Sequence, residues 1–123
     1  MTTFAKVTRR PEFEKDLKQL LKRYRSLEDD LNVFVDTQLV LFHKQKIDNR
    51  GLVHINNLGI EEPKIFKAVK FACKSLRGRG AASGIRLTYA YFKETDHIEF
   101  IQIYFKAEDE NEDRERIKSL YGA

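Results

Sequence analysis

Two alternating stretches, Ile85 to Lys93 and Ile98 to Lys106, are joined by the short polar link Glu94-Thr95-Asp96-His97. Apolar residues at every second position describe strands with one buried face, and a link this short folds the second strand back on the first as a hairpin. A hairpin alone is marginal in water and must bury its apolar side against other elements.

The preceding sequence supplies them. Phe4 to Thr8 alternates and reads as a first strand. Pro11 suits a first helical turn, where its missing N–H costs nothing. Phe13, Leu17, Leu20, Leu21 and Tyr24 recur at helical spacing, which predicts an amphipathic helix over Pro11 to Arg25. Ser26 is placed to cap a second helix with Asp29 three residues on, and Leu27, Leu31, Phe34, Val35, Leu39 and Phe42 form its stripe. With almost nothing between them, the two helices are expected to form an antiparallel hairpin. Gln45 to Pro63 carries Gly51, Gly59 and three Asn residues (Asn49, Asn56 and Asn57) and reads as a loop. Lys64 to Lys74 is a further strand candidate. Asn111 is expected to cap a last helix with Ile117, Leu120 and Tyr121 on its apolar side and Gly122 at its end. The order is β-α-α-β-β-β-α, an α+β fold with the helical hairpin on one face of a mainly antiparallel twisted sheet and a C-terminal helix. At 123 residues, 1–123 is expected to be a single domain.

Several classes are excluded. No apolar run approaches the roughly 20 residues of a membrane-spanning helix, and the first residues lack the apolar core of a signal peptide, so the chain is expected in the cytoplasm. The single cysteine, Cys73, is expected to be a buried small hydrophobe. His43, His54 and His97 show no metal-ligand spacing, and there is no nucleophile-elbow serine or dinucleotide-binding turn, so no metal and no cofactor are expected.

Charge is unevenly spread. Lys64, Lys67, Lys70, Lys74, Arg77, Arg79, Arg86 and Lys93 occur with no acidic residue among them, whereas Glu94 to Arg116 is mostly acidic. Such segregation suits a polyanion. By strand alternation, Ile101, Ile103 and Phe105 oppose Gln102, Tyr104 and Lys106. Ile85, Leu87 and Tyr89 likewise oppose Arg86 and Thr88, and Val69, Phe71 and Cys73 oppose Lys70 and Lys74. Lys67 falls on the apolar phase, which suggests a bulge or strand end nearby. One face thus collects Lys70, Lys74, Arg86, Thr88, Gln102, Tyr104 and Lys106. Arg77 and Arg79 project from a glycine-rich segment beside it, an arrangement suited to a single RNA strand.

At Ser83-Gly-Ile-Arg-Leu-Thr-Tyr89, followed by a strand ending Ile103-Tyr-Phe-Lys106 and a closing helix, the sequence resembles the RelE/ParE superfamily of toxin–antitoxin modules, nearest its RelE and HigB branch. The resemblance implies a metal-independent endonuclease that cleaves messenger RNA in the ribosomal A site and is silenced by a bound antitoxin protein. By position, Arg86 matches the family arginine on the scissile phosphate and Lys106 the basic residue ending the last strand. Lys70 and Lys74 lie where the family has strand lysines that assist proton transfer. The implied catalytic set is Arg86, Lys106, Lys70, Lys74 and Tyr104, with Lys67, Arg77, Arg79, Thr88 and Gln102 binding RNA. Many relatives carry a Tyr or His after the last strand, whereas this chain has Ala107-Glu-Asp-Glu-Asn-Glu-Asp113. That leaves Tyr104, Tyr121 or one of these carboxylates for proton transfer. The Gln45–Pro63 loop is also longer than the family needs. A ParE-like gyrase inhibitor and a non-catalytic RNA-binding module stand as alternatives.

Overall fold

The computed structural model describes residues 3–122. A five-stranded sheet runs in the order β1-β5-β4-β3-β2, with β1 (Lys6–Arg9), β2 (Leu52–His54), β3 (Lys64–Ala68), β4 (Ile85–Phe92) and β5 (His97–Phe105). Only β1 is parallel to its neighbour; the other pairings are antiparallel. The α+β class and the β4–β5 hairpin are as the alternation required. The sequence between Gln45 and Pro63 is not all loop, because Leu52–His54 adds an edge strand to β3. That strand is three residues long, too short for a periodic signal.

Helix α1 spans Pro11–Leu21, with Phe13, Leu17 and Leu20 buried, and ends before the expected Arg25. Helix α2 spans Leu27–Phe34 and continues as a π-helix over Val35–Lys44. The buried positions Leu27, Leu31, Val35, Leu39 and His43 explain that change of winding. A strict repeat of four drifts by about 40° per step at 3.6 residues per turn. The wider winding after Phe34 drifts the other way and keeps the line facing the sheet.

Ser26 does not cap α2. Its hydroxyl donates to Asp30 at 2.6 Å and accepts from the Ser75 N–H at 2.9 Å. Asp30, 4% exposed, also accepts from the Lys74 N–H, so this trio ties α2 to the chain beyond β3. At the last helix, α3 (Arg114–Tyr121), the cap is Asp113 rather than Asn111, accepting from the Arg116 N–H at 3.0 Å.

The sheet is covered on both faces. Phe13, Leu17, Leu31 and Leu39 pack with Phe66, Leu87, Tyr89, Phe100 and Ile103 on one side. Helix α3 lies on the other, where Ile117 packs with Ile65, Ala90 and Ile101. This corrects the expectation that Ile101 shares a face with Ile103 and Phe105. The register shifts between Thr88, opposite Gln102, and Tyr89, opposite Phe100. Ile101 is the unpaired residue of a bulge, which turns its side chain into the second core.

Candidate functional site

Beyond the end of α3, the second face of the sheet turns polar. Across three strands Lys67 stands opposite Thr88 and Thr88 opposite Gln102. In the next row Arg86 stands opposite Tyr104. Alternation along β4 puts Arg86 and Thr88 on this side because Ile85, Leu87 and Tyr89 fill the main core. The bulge lets Ile101 join α3 without disturbing the phase of Gln102 and Tyr104. Lys67 joins the floor because Phe66 and Ala68 take the core side of β3. Lys67 is in phase with the apolar Val69, Phe71 and Cys73 in sequence, but β3 ends before all three.

Thr88, Tyr104 and Gln102 are buried, at 0%, 3% and 8% exposure. Arg86 Nε, Thr88 Oγ1 and Tyr104 OH have no hydrogen-bond partner among the described residues. Buried polar groups of this kind each cost about 1–3 kcal/mol unless water or a ligand meets them, so their convergence on one face marks a place for a polar guest. Burial, with the charges of Glu112 and Asp109 and against that of Arg86, pushes the Tyr104 phenol up to about 12. At neutral pH Tyr104 is therefore a proton donor and not a base. Lys67 pairs with Glu112 at 3.3 Å, and the Asp113 N–H donates to Gln102 Oε1 at 2.8 Å.

The remaining residues expected at the site spread outward. Lys106 follows Tyr104 in phase, exposed, with its N–H on the Gly84 carbonyl at 2.8 Å. Gly84 has φ +85°, and a Cβ there would stand 2.9 Å from the Phe105 ring, which accounts for glycine after Ser83. Lys70 and Lys74 are not on the floor, because they lie past the end of β3. Lys70 Nζ donates to the Asn49 carbonyl at 2.9 Å. Lys74 and Arg77 line a second cleft with Arg23, Arg25, Ser26 and Ser75, free of carboxylates in its lining. Arg79 is exposed on the adjoining loop. Arg23 also lines a groove of about 430 Å³ with Tyr104, Phe105, Glu108 and Asp109, so it bridges the floor and the cleft.

Sequence reading missed Arg23 and Arg25 as parts of this surface, and Glu112 as the partner of Lys67. The first two sit on what reads as a helix, and their role depends on the early end of α1. Among the described residues no group of three His, Cys, Asp or Glu is placed to hold a metal ion, and no helix is long and apolar enough to cross a membrane. Cys73 is buried as a free thiol, 4% exposed, and its pKa is raised by that burial.

His43 is structural. Its Nε2 meets the buried Tyr89 hydroxyl at 2.8 Å, and burial, helped by the charges of Lys46 and Lys44 and opposed by Asp96, lowers its pKa to about 4. An unfolded chain binds this proton below about pH 6.5 and the native chain only near 4, so acid favours unfolding across that window. The shift is expected to remove about 3 kcal/mol of stability as pH falls from about 6.5 to 4. Denaturant titrations at several pH values check this: His43→Leu should flatten the dependence by about one proton, and an unchanged slope would show that His43 is charged in the native state.

No protein-family model matches the chain, and comparison with curated proteins finds no match. Among solved structures, a chain in the crystal structure of an archaeal RelE–RelB complex from Pyrococcus horikoshii OT3 is similar at 13% identity and a TM-score of 0.48, over 82% of this chain and 93% of that one.

Proposed function

We propose that this chain is a toxin of a RelE/ParE-type toxin–antitoxin module, acting in the cytoplasm as a metal-independent messenger-RNA endonuclease. The observation that carries the reading is the Arg86–Tyr104 pair on a cationic sheet face, where Arg86 Nε, Thr88 Oγ1 and Tyr104 OH all lack partners among the described residues. The resemblance of Ser83-Gly-Ile-Arg-Leu-Thr-Tyr89 to that superfamily points the same way.

The chemistry is attack of an RNA 2′-hydroxyl on the adjacent phosphorus, with departure of the 5′-oxygen, leaving a 2′,3′-cyclic phosphate and a free 5′-hydroxyl. Arg86 and Lys106 stabilise the negative charge that builds on the phosphorane-like transition state. Tyr104, a protonated phenol, is suited to give its proton to the departing 5′-oxygen, while the proton of the attacking 2′-hydroxyl passes to water. Thr88 and Gln102 orient the backbone, and Lys67 replaces Lys70 and Lys74 as the lysine of the floor. The cleft of Arg23, Arg25, Lys74 and Arg77, with Arg79 beside it, takes further phosphates of the strand. An antitoxin covering this face and a ribosomal A site presenting the message complete the reading.

The test is induction of the chain in cells with mapping of messenger ends by primer extension. In-frame cuts are the expected result. Growth arrest with intact transcripts would overturn the endonuclease reading and direct the next assay to gyrase.

A further inference from the structure

The link from β5 to α3, Ala107-Glu-Asp-Glu-Asn-Glu-Asp113, holds carboxylates at Glu108, Asp109, Glu110, Glu112 and Asp113. Most of it is exposed, but Glu112 is half-buried and the link touches the cationic face at its C-terminal end. Glu112 reaches Lys67, in a pair whose side chains are only 9% and 17% exposed. Glu108 pairs with Arg23, the residue shared by groove and cleft. The Asp113 N–H occupies Gln102. Charges of Glu112 and Asp109 act on the Tyr104 phenol.

The link meets two of the cations and none of the buried neutral hydroxyls. Lys67 and Arg23 have carboxylate partners, whereas Thr88 Oγ1 and Tyr104 OH are shut from solvent with none among the described residues. A segment shaped as permanent core would meet those hydroxyls too. Its own backbone is lightly held. Glu108 and Asp109 N–H bond to the Phe105 carbonyl at one end and Asp113 N–H to Gln102 at the other. Among the described residues, no backbone N–H of Glu110, Asn111 or Glu112 bonds a backbone carbonyl outside regular elements.

We propose that residues 107–113 are a displaceable acidic cover whose carboxylates stand where phosphates of a single-stranded RNA would bind, so that the strand exchanges with the cover to reach Lys67 and Arg23. This rests on the RNA-binding reading above. Each cation already neutralised by Glu108 or Glu112 releases fewer counterions when RNA arrives, which lowers affinity and makes it less dependent on salt.

The test uses the full chain and a fluorescein-labelled, fully 2′-O-methylated oligoribonucleotide, which cannot be cleaved, with anisotropy titrations at several salt concentrations. Glu108→Gln together with Glu112→Gln is expected to bind about tenfold tighter at low salt. The slope of log affinity against log salt should steepen by about 0.7 for each cation freed, about 1.4 in all. Glu108→Gln alone, at a pair about half exposed on both sides, keeps the fold safe and should steepen the slope by about 0.7. If wild type binds and both variants bind no tighter with the same slope, the cover is overturned and the RNA reading stands. If neither wild type nor variants bind the oligonucleotide at any salt, the RNA reading falls and takes the cover with it.

Discussion

Replacing Arg86 with alanine is expected to slow RNA cleavage roughly 10²–10³-fold, the usual cost of losing one preorganised donor to a developing negative charge. Stability should barely change. Arg86 is half-buried and its Nε has no partner among the described residues, so truncation removes an unmet polar group and leaves no new orphan across the strand. The measurement is single-turnover cleavage of a labelled message alongside a thermal melt. Arg86→Lys should recover only part of the rate, because an ammonium keeps the charge without the planar fork that grips two phosphate oxygens. A cleavage rate within twofold of wild type for Arg86→Ala would remove this residue from the mechanism and with it the carry-over from the sequence motif.

The largest stability effect is expected at the bulge. Ile101 is fully buried against Ile65, Ala90 and Ile117, and Ile101→Ala should cost about 2–5 kcal/mol, transfer and cavity terms together. The second core is small, so a single truncation there loosens the seat of α3 as a whole. Val53→Ala, at 45% exposure on the edge strand, should stay within about 0.5 kcal/mol. Denaturant unfolding of both variants decides it. Equal, small losses would mean that Ile101 packs no more tightly than a surface residue and that the register shift does not serve α3.

Where local pattern and final structure agree, the pattern had one solution. The hairpin of β4 and β5 follows from alternation around a four-residue polar link, and α1 follows from Pro11 and the Phe13, Leu17, Leu20 spacing. Alternation alone puts Arg86, Thr88, Gln102 and Tyr104 on one face, and the structure has them there. Lys70 and Lys74 illustrate the limit. Alternation from Val69 to Cys73 looks like strand, but the strand pairing there shrinks to an isolated bridge of Phe71 with Ala82, and Asp30 draws the chain aside through the Lys74 N–H. That partner is 44 residues away, beyond the reach of any window.

By itself, then, the sequence determined the α+β class, the helix-then-hairpin order, the burial of Cys73 and the polar face of β4 and of the end of β5. These depend on periodicity between near neighbours, which side-chain geometry converts directly into faces. Only the tertiary structure decided that Ile101 crosses to the second core, that Lys67 enters the floor in place of Lys70 and Lys74, and that the acidic link folds back onto the cations. Each of those outcomes is a competition between contacts distant in the chain. A bulge is tolerated because Ile117 rewards it with burial, and a carboxylate is held at the sheet because Lys67 is there to meet it.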